Sequence, residues 1–334
     1  MSLTTLQLNA ENPADLLRAA ELLRRGKLVA FPTETVYGLG ANALDAEAVA
    51  AIFEAKQRPS WDPLIVHLGT IGQLKQVAEV PQELKGRVAR LLLRFWPGPL
   101  TLLLPKKASI PDAVTAGRPL VGVRVPALNH IRYLIEHAGV PIAAPSANRF
   151  GHTSPTIAAH VLADLDGRID ALLDGGATSV GVESTVLDPT QTPMVLYRPG
   201  AITAAEIEAV AGVPVVVYEP PATVAAPESL PSPGVGIRHY APNAKVILVE
   251  DGEATKHLRG TSGVMLPTGW TAEAQATVFP WGDWDKPEEL AQKLFAGLRG
   301  LDDLGVTEIV VPLPAPGGVR DALRDRLLKA AKEK

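Results

Sequence analysis

Cations and hydroxyls recur in this sequence at one kind of place, the end of an apolar run. Lys56-Gln57-Arg58-Pro59 puts two cations at a predicted helix end. There they either stabilise the helix C-terminal dipole or, in an extended exit segment, point the same way and grip one anion. His67 follows at the end of the next predicted strand. Arg124 lies inside the apolar stretch Val121–Val125, where a charge is costly unless paired. It reads either as a structural salt bridge or as a planar fork for a ligand carboxylate or phosphate. Pro145-Ser146-Ala147-Asn148, Ser154-Pro155-Thr156 and Gly181-Val182-Glu183-Ser184-Thr185 are rich in small polar residues. Such segments are turns, or they offer hydroxyls and backbone amides to phosphate and ribose. Arg198-Pro199-Gly200 puts another cation at a strand end. Together these residues suit a polar pocket for a polyanionic small molecule.

Other chemistries lack their residues. There is no cysteine, which removes disulfides, thiolate metal sites and cysteine nucleophiles. The seven histidines show no metal spacing and no His-Glu-x-x-His, so any metal is expected to be magnesium arriving with a nucleotide. Gly38-Leu39-Gly40-Ala41-Asn42-Ala43 matches a loose dinucleotide fingerprint. Residues 32–37 separate it from the preceding strand, whereas the pyrophosphate must meet the strand end and helix N-terminus directly; a tight turn is the plainer reading. A serine hydrolase built on Ser146 or Ser184 with His67 has no G-x-S-x-G elbow to support it. With 32 basic and 36 acidic side chains the net charge is −4, which argues against a globally basic nucleic-acid clamp.

The elements that must carry these residues follow from periodicity. The length of 334 residues favours two domains. Asn12-Pro13 caps a first helix that Gly26 stops. Asp45 caps a second, running towards Lys56. Further helices are expected at Pro81–Trp96, near His130–His137 and after Thr203. Strands are expected at Leu28–Phe31, Leu64–Leu68, Leu100–Leu104, Leu120–Val125, Pro141–Ala144, Ile169–Leu173, Ser184–Leu187, Met194–Tyr197 and Pro214–Val217. Strands outnumber helices and alternate irregularly, which predicts a twisted mixed α/β sheet and not a regular barrel. A proline-rich, extended connector follows over 218–242. Beyond it, strands at Lys245–Val249, Gly263–Leu266, Thr277–Phe279 and Glu308–Val311, with helices at Lys286–Leu298 and Val319–Lys332, predict a smaller Rossmann-like α/β domain over 243–334. Met1 to Asn12 lacks the layout of a signal peptide. No apolar run approaches the roughly 18 residues of a membrane helix, so a soluble cytoplasmic protein with no membrane partner is expected.

The ordered segments resemble the YrdC-like family. They are Phe31-Pro32-Thr33-Glu34-Thr35-Val36-Tyr37-Gly38-Leu39, Lys56-x-Arg58-Pro59, Pro63-Leu64 to His67, Trp96-Pro97-Gly98-Pro99-Leu100-Thr101, Val123-Arg124-Val125-Pro126, Ala144-Pro145-Ser146-Ala147-Asn148, Glu183-Ser184-Thr185 and Arg198-Pro199-Gly200. They cover roughly residues 10–210. Ser232-Pro233-Gly234, then His239-Tyr240-Ala241-Pro242 and a further α/β domain, resemble the long two-domain form, the L-threonylcarbamoyladenylate synthases. One departure stands out: Val235-Gly236-Ile237-Arg238 replaces the usual Met with aromatic or basic residues after the linker glycine.

The resemblance implies a YrdC-like domain with a large polar cavity. It implies synthesis of threonylcarbamoyl-AMP from L-threonine, bicarbonate or CO2, and ATP with magnesium, releasing pyrophosphate. A separate transferase would then carry the group to tRNA. By the same resemblance Thr33, His67, Arg124, Ala144 and Ser184 contact threonine. Lys56, Arg58, Leu120 (through its backbone), Ser146, Asn148, Ser154 and Arg198 hold ATP, with Gly234 and Tyr240 in a covering linker. Lys56, Arg58 and Arg124 are the candidate catalytic residues, acting through charge. Two other readings stay open: an RNA-binding module that grips tRNA without making an adenylate, and a domain handling carbamoyl- or acyl-phosphates.

Overall fold

The computed structural model describes residues 4–219, 229–232, 234–235, 240–250, 262–272 and 276–332. The linker positions Pro233, Gly236, Ile237, Arg238 and His239 lie outside them. In chain order the strands are β1 (Leu6–Asn9), β2 (Val29–Phe31), β3 (Gly38–Asn42), β4 (Ile65–His67), β5 (Leu100–Pro105), β6 (Leu120–Arg124), β7 (Ile142–Ala143), β8 (Ala171–Asp174), β9 (Thr185–Asp188), β10 (Met194–Arg198) and β11 (Val215–Val217). They form one sheet in the order β1-β8-β2-β3-β7-β4-β6-β5-β9-β10-β11. Parallel pairs such as β4 with β6 alternate with antiparallel pairs such as β5 with β6. The mixed sheet expected from the irregular alternation is therefore present. β12 (Lys245–Val249), β13 (Ser262–Pro267), β14 (Thr277–Gly282) and β15 (Glu308–Pro312) make a second sheet, ordered β12-β15-β13-β14 and parallel throughout. Buried apolar side chains pack on both faces of the first sheet.

Local chemistry sets the helix ends. The Asn12 side chain accepts from the Ala14 amide ahead of Pro13–Arg24, with Pro13 at the first turn, as capping requires. Asp45 accepts from the Glu47 and Ala48 amides and opens Ala46–Lys56. Thr203 and Glu206 form a reciprocal capping box at Ala204–Ala211.

Two expectations are corrected. Gly38–Asn42 is not a turn but strand β3, antiparallel to β2 and β7. Its glycine serves close approach: a Cβ on Gly40 would lie 2.4 Å from the Phe31 ring and 2.8 Å from Ile142. Pro81–Trp96 is not one helix; a 3-10 turn at Gln82–Leu84 leads into Lys85–Phe95. The sequence reading also missed β1 and the helix Ala158–Leu165.

The second domain packs directly on the first. Its core cluster, centred on helix Pro287–Asp303 and β15, includes Val36, Val182 and Tyr240 from the loops of the first domain and the connector. Arg299 on that helix pairs with Asp164 at 2.6 Å, and Gln292 donates to the Thr178 carbonyl.

Candidate active site

Strand pairing builds the floor of the site. In the parallel β4/β6 register His67 sits opposite Arg124, so the two strand ends place imidazole and guanidinium side by side. Arg124 Nε donates to His67 Nε2 at 2.9 Å. One terminal nitrogen donates to Glu34 at 3.2 Å, and the other to the Thr33 and Thr35 hydroxyls at 3.0 Å each. Arg124 and Glu34 are only 4% and 5% exposed, so this is a buried, charge-balanced hub. The Glu34 carboxylate also accepts from the Ala127 amide. The salt-bridge reading of Arg124 is therefore observed, and the same side chain also lines a cleft. His67 accepts at Nε2, which fixes the proton on Nδ1. Burial and the adjacent Arg124 push its pKa well below the ordinary value, so it is neutral at pH 7.

A second cluster lies where helix Ala46–Lys56 ends. Gln57 turns into the left-handed region at φ 54°, so the exit is not extended. Lys56 and Arg58 therefore do not run parallel as the spacing suggested. Lys56 Nζ turns to the Ser146 and Asn148 carbonyls. Arg58 holds the following loop through the Asp62 and Pro63 carbonyls and pairs with the Asp62 carboxylate at 2.9 Å. Burial, then the neighbouring Arg58, lowers the Lys56 pKa. Two cations beside one another are costly.

The third cluster sits across the cleft. Parallel pairing of β5 with β9 brings Thr101 to Ser184, and their hydroxyls are 2.8 Å apart. A register shift between Leu196 and Arg198 interrupts the β9/β10 ladder. Such irregularities re-aim a side chain, and here Arg198 reaches the Ser184 carbonyl at 3.0 Å and hydroxyl at 3.1 Å. Glu183 accepts from the Ser154 hydroxyl.

These clusters surround one cleft that is partly open to solvent. Thr33, Arg58, His67, Arg124, Ala144, Ser146, Ser184, Arg198, Gly234 and Tyr240 all line it. Lys56 and Ser154 stand one hydrogen bond behind it, against Ser146 and Glu183. Asn148 is buried deeper, its amide nitrogen on the Arg149 and His152 carbonyls. Leu120 does not line the cleft; it packs beside Ile65 and Leu103 and pairs with Pro105 in the β5/β6 ladder. The sequence reading gave no role to Glu34, Thr35, Asp62 or Glu183. Their signal was a carboxylate or hydroxyl held in a run with few other charges. Arg326, which reaches Glu183 from the second domain, carried no signal, because an arginine on an amphipathic helix reads as a solvated face. Among the described residues no group of three or more His, Asp or Glu could hold a metal, and no helix is long and apolar enough to cross a membrane.

Fold and site define a two-domain α/β protein with a cation- and hydroxyl-lined cleft at the strand ends of a mixed sheet. Two family models match: Sua5, YciO and YrdC, described as telomere recombination, over residues 21–200, and the threonylcarbamoyl-AMP synthase C-terminal domain over 202–332. The chain is 45% identical to the threonylcarbamoyl-AMP synthase of Pyrococcus abyssi, over 94% of this chain and 93% of that one. It is 43% identical to the Bacillus subtilis enzyme of the same name, over 96% and 94%. The crystal structure of P. abyssi Sua5 complexed with L-threonine superposes with a TM-score of 0.87 at 42% identity, covering 99% of this chain and 98% of that one. The chain belongs to the threonylcarbamoyl-AMP synthase family.

Proposed function

We propose that this protein makes L-threonylcarbamoyl-AMP from L-threonine, bicarbonate or CO2, and ATP, with release of pyrophosphate. The observation that carries the reading is the convergence of Arg58, Arg124 and Arg198 with Ser146 and Ser184 on one cleft. The threonine-bound relative supports threonine as substrate. The family name supports synthesis over an RNA-binding module or a domain handling preformed carbamoyl phosphate.

Threonine's neutral amine adds to CO2 and gives up one proton to solvent, forming a carbamate. A carbamate oxygen attacks the α-phosphorus of ATP, the bond to the β-phosphate oxygen breaks, and pyrophosphate leaves. No protein nucleophile is required. Arg124, held in orientation by Thr33, Thr35, Glu34 and His67, receives the threonine carboxylate; four of its five N–H donors are engaged, so the substrate displaces the Thr33 or Thr35 hydroxyl to win a two-point grip. His67 acts as an orienter, because its Nε2 lone pair is committed to Arg124. Ala144 and Ser184 complete the threonine side. Lys56, Arg58 and Arg198, with Ser146, Asn148 and Ser154, stabilise the charge that grows on the phosphates. Magnesium enters on ATP as part of that substrate. The connector, which brings Gly234 and Tyr240 to the cleft, limits the water that would destroy the carbamate. The product is labile and activated, so a transferase acting on tRNA must consume it. The cytoplasm, where ATP and tRNA meet, is the compartment this sequence of steps needs.

The test is incubation with magnesium-ATP and bicarbonate, with and without L-threonine, followed by mass spectrometry of the adenylate and assay of pyrophosphate. Threonylcarbamoyl-AMP that forms only with all substrates present supports the reading. ATP binding without any adenylate refutes it.

A further inference from the structure

Glu183 is a paradox in a cleft proposed to receive a triphosphate. It lines the cleft and is buried, on the same side as Ser154 and Arg198. An unpaired carboxylate there would repel the phosphates and suffer its own desolvation. Its main counter-charge comes from the other domain. Arg326, on helix Arg320–Ala330, donates from Nε to Glu183 at 2.8 Å and is fully buried. The other Glu183 oxygen accepts from Ser154. Burial alone would raise the Glu183 pKa, but Arg326, Arg198 and the Ser154 hydrogen bond hold it below the ordinary value. The Arg326 guanidinium also lies 5.2 Å from the centre of the Tyr240 ring and pairs with Asp325 at 2.5 Å. One turn on, Lys329 donates to the Gly234 carbonyl at 2.6 Å. A single helix face of the second domain thus touches Glu183, Tyr240 and Gly234, all of which line the cleft.

We propose that Arg326 is a positioning residue for the reaction. By pairing with Glu183 it cancels a negative charge beside the phosphate-binding cations and keeps Ser154 in place, so the second domain sets the affinity for ATP. This rests on the reading above that the Ser154–Arg198 side receives ATP. Its consequence is selective: the threonine hub around Arg124 takes its partners from Glu34, Thr33, Thr35 and His67 and, among the described residues, none from the second domain, so threonine recognition is left intact.

The test compares the full-length wild type with Arg326→Met, Glu183→Gln and the double variant, each checked by thermal melting. Methionine keeps an unbranched stem of similar reach and removes the charge. Arg326→Met raises the KM for ATP by about thirtyfold or more, as the loss of a buried charge partner requires. The KM for threonine stays within about threefold, because uniform damage would move both. Adding Glu183→Gln to Arg326→Met recovers at least half of the lost ATP affinity on a logarithmic scale, because no unpaired charge remains. A merely structural role for Arg326 predicts no such recovery. An unchanged KM for ATP, an equal loss for both substrates, or a double variant no better than Arg326→Met overturns the inference. Should Arg326→Met fail to fold, Arg326→Lys serves: it keeps the charge, and its KM for ATP stays within about fivefold of wild type; a folded lysine variant with a thirtyfold loss overturns the proposal. A wild type that makes no adenylate refutes the functional reading itself, and this inference with it.

Discussion

Arg124→Lys isolates geometry from charge at the centre of the site. The guanidinium serves four acceptors, at 2.9 Å (His67), 3.2 Å (Glu34) and 3.0 Å (Thr33 and Thr35). A lysine ammonium is a point charge with three tetrahedral donors and no planar fork. It keeps the Glu34 pair, the carboxylate in the set, and loses His67 and a threonine hydroxyl. The internal loss is two hydrogen bonds to a charged group, about 3 kcal/mol of stability at the lower end of about 1.5 kcal/mol each. For the substrate, a two-point grip on the threonine carboxylate becomes one bond. That is worth about 1.5–3 kcal/mol, or about 10- to 150-fold in kcat/KM for threonine. Under the proposed mechanism other cations hold ATP, so its KM stays within about threefold. The assay is initial-rate pyrophosphate release with each substrate varied, alongside urea unfolding. A folded Arg124→Lys protein with threonine kcat/KM within about threefold of wild type would refute the assignment of Arg124 to threonine. So would an equal loss for ATP.

Three further outcomes follow from the same geometry. Gly40→Ala places a methyl group 2.4 Å from the Phe31 ring, an overpacking that costs about 1–3 kcal/mol; the urea midpoint should fall, and a midpoint equal to wild type contradicts the close approach of β2 and β3. Gly234 has φ +77°, and a Cβ there would sit 2.7 Å from the Tyr240 hydroxyl and 3.1 Å from Arg198. Gly234→Ala should therefore displace Arg198 and raise the KM for ATP by about tenfold, or about 1.4 kcal/mol, which steady-state kinetics reads directly. Burial and the neighbouring Arg299 push His160 down to about 4, against about 6.5 in the unfolded chain. The unfolded state then binds the extra proton between those values, so His160 contributes stability that is full above pH 6.5 and lost as the pH falls towards 4. His160→Asn should flatten the decline in urea midpoint across that window; an unchanged slope counts against a half-buried neutral imidazole.

Periodicity and end signals were legible where they are local. Asn12, Asp45 and Thr203 cap helices in the structure, because a capping side chain bonds within its own first turn. β5 and β6 were legible because buried strands read as apolar runs. β3 was not: Gly-Leu-Gly-Ala-Asn has turn composition, and only the Phe31 and Ile142 side chains above Gly40 explain why a strand needs glycine there. The spacing of Lys56 and Arg58 left a helix-dipole role and a shared anion grip both open, but the left-handed Gln57 sends them to different partners. That conformation belongs to the helix end and not to the residue pattern.

The sequence by itself determined which side chains are available: cations and hydroxyls at strand ends, no thiol, and a chain long enough for two sheets. Those are properties of residue type and short-range spacing. Tertiary structure decided who pairs with whom. His67 meets Arg124 because β4 and β6 are parallel neighbours in one register, although 57 residues separate them. Ser184 meets Arg198 across an irregular ladder. Glu183 meets Arg326 across a domain boundary, 143 residues apart. Burial makes these pairings strong, because a desolvated charge must find its partner within the fold, and no local pattern encodes a partner that only the packing of sheets and domains brings near.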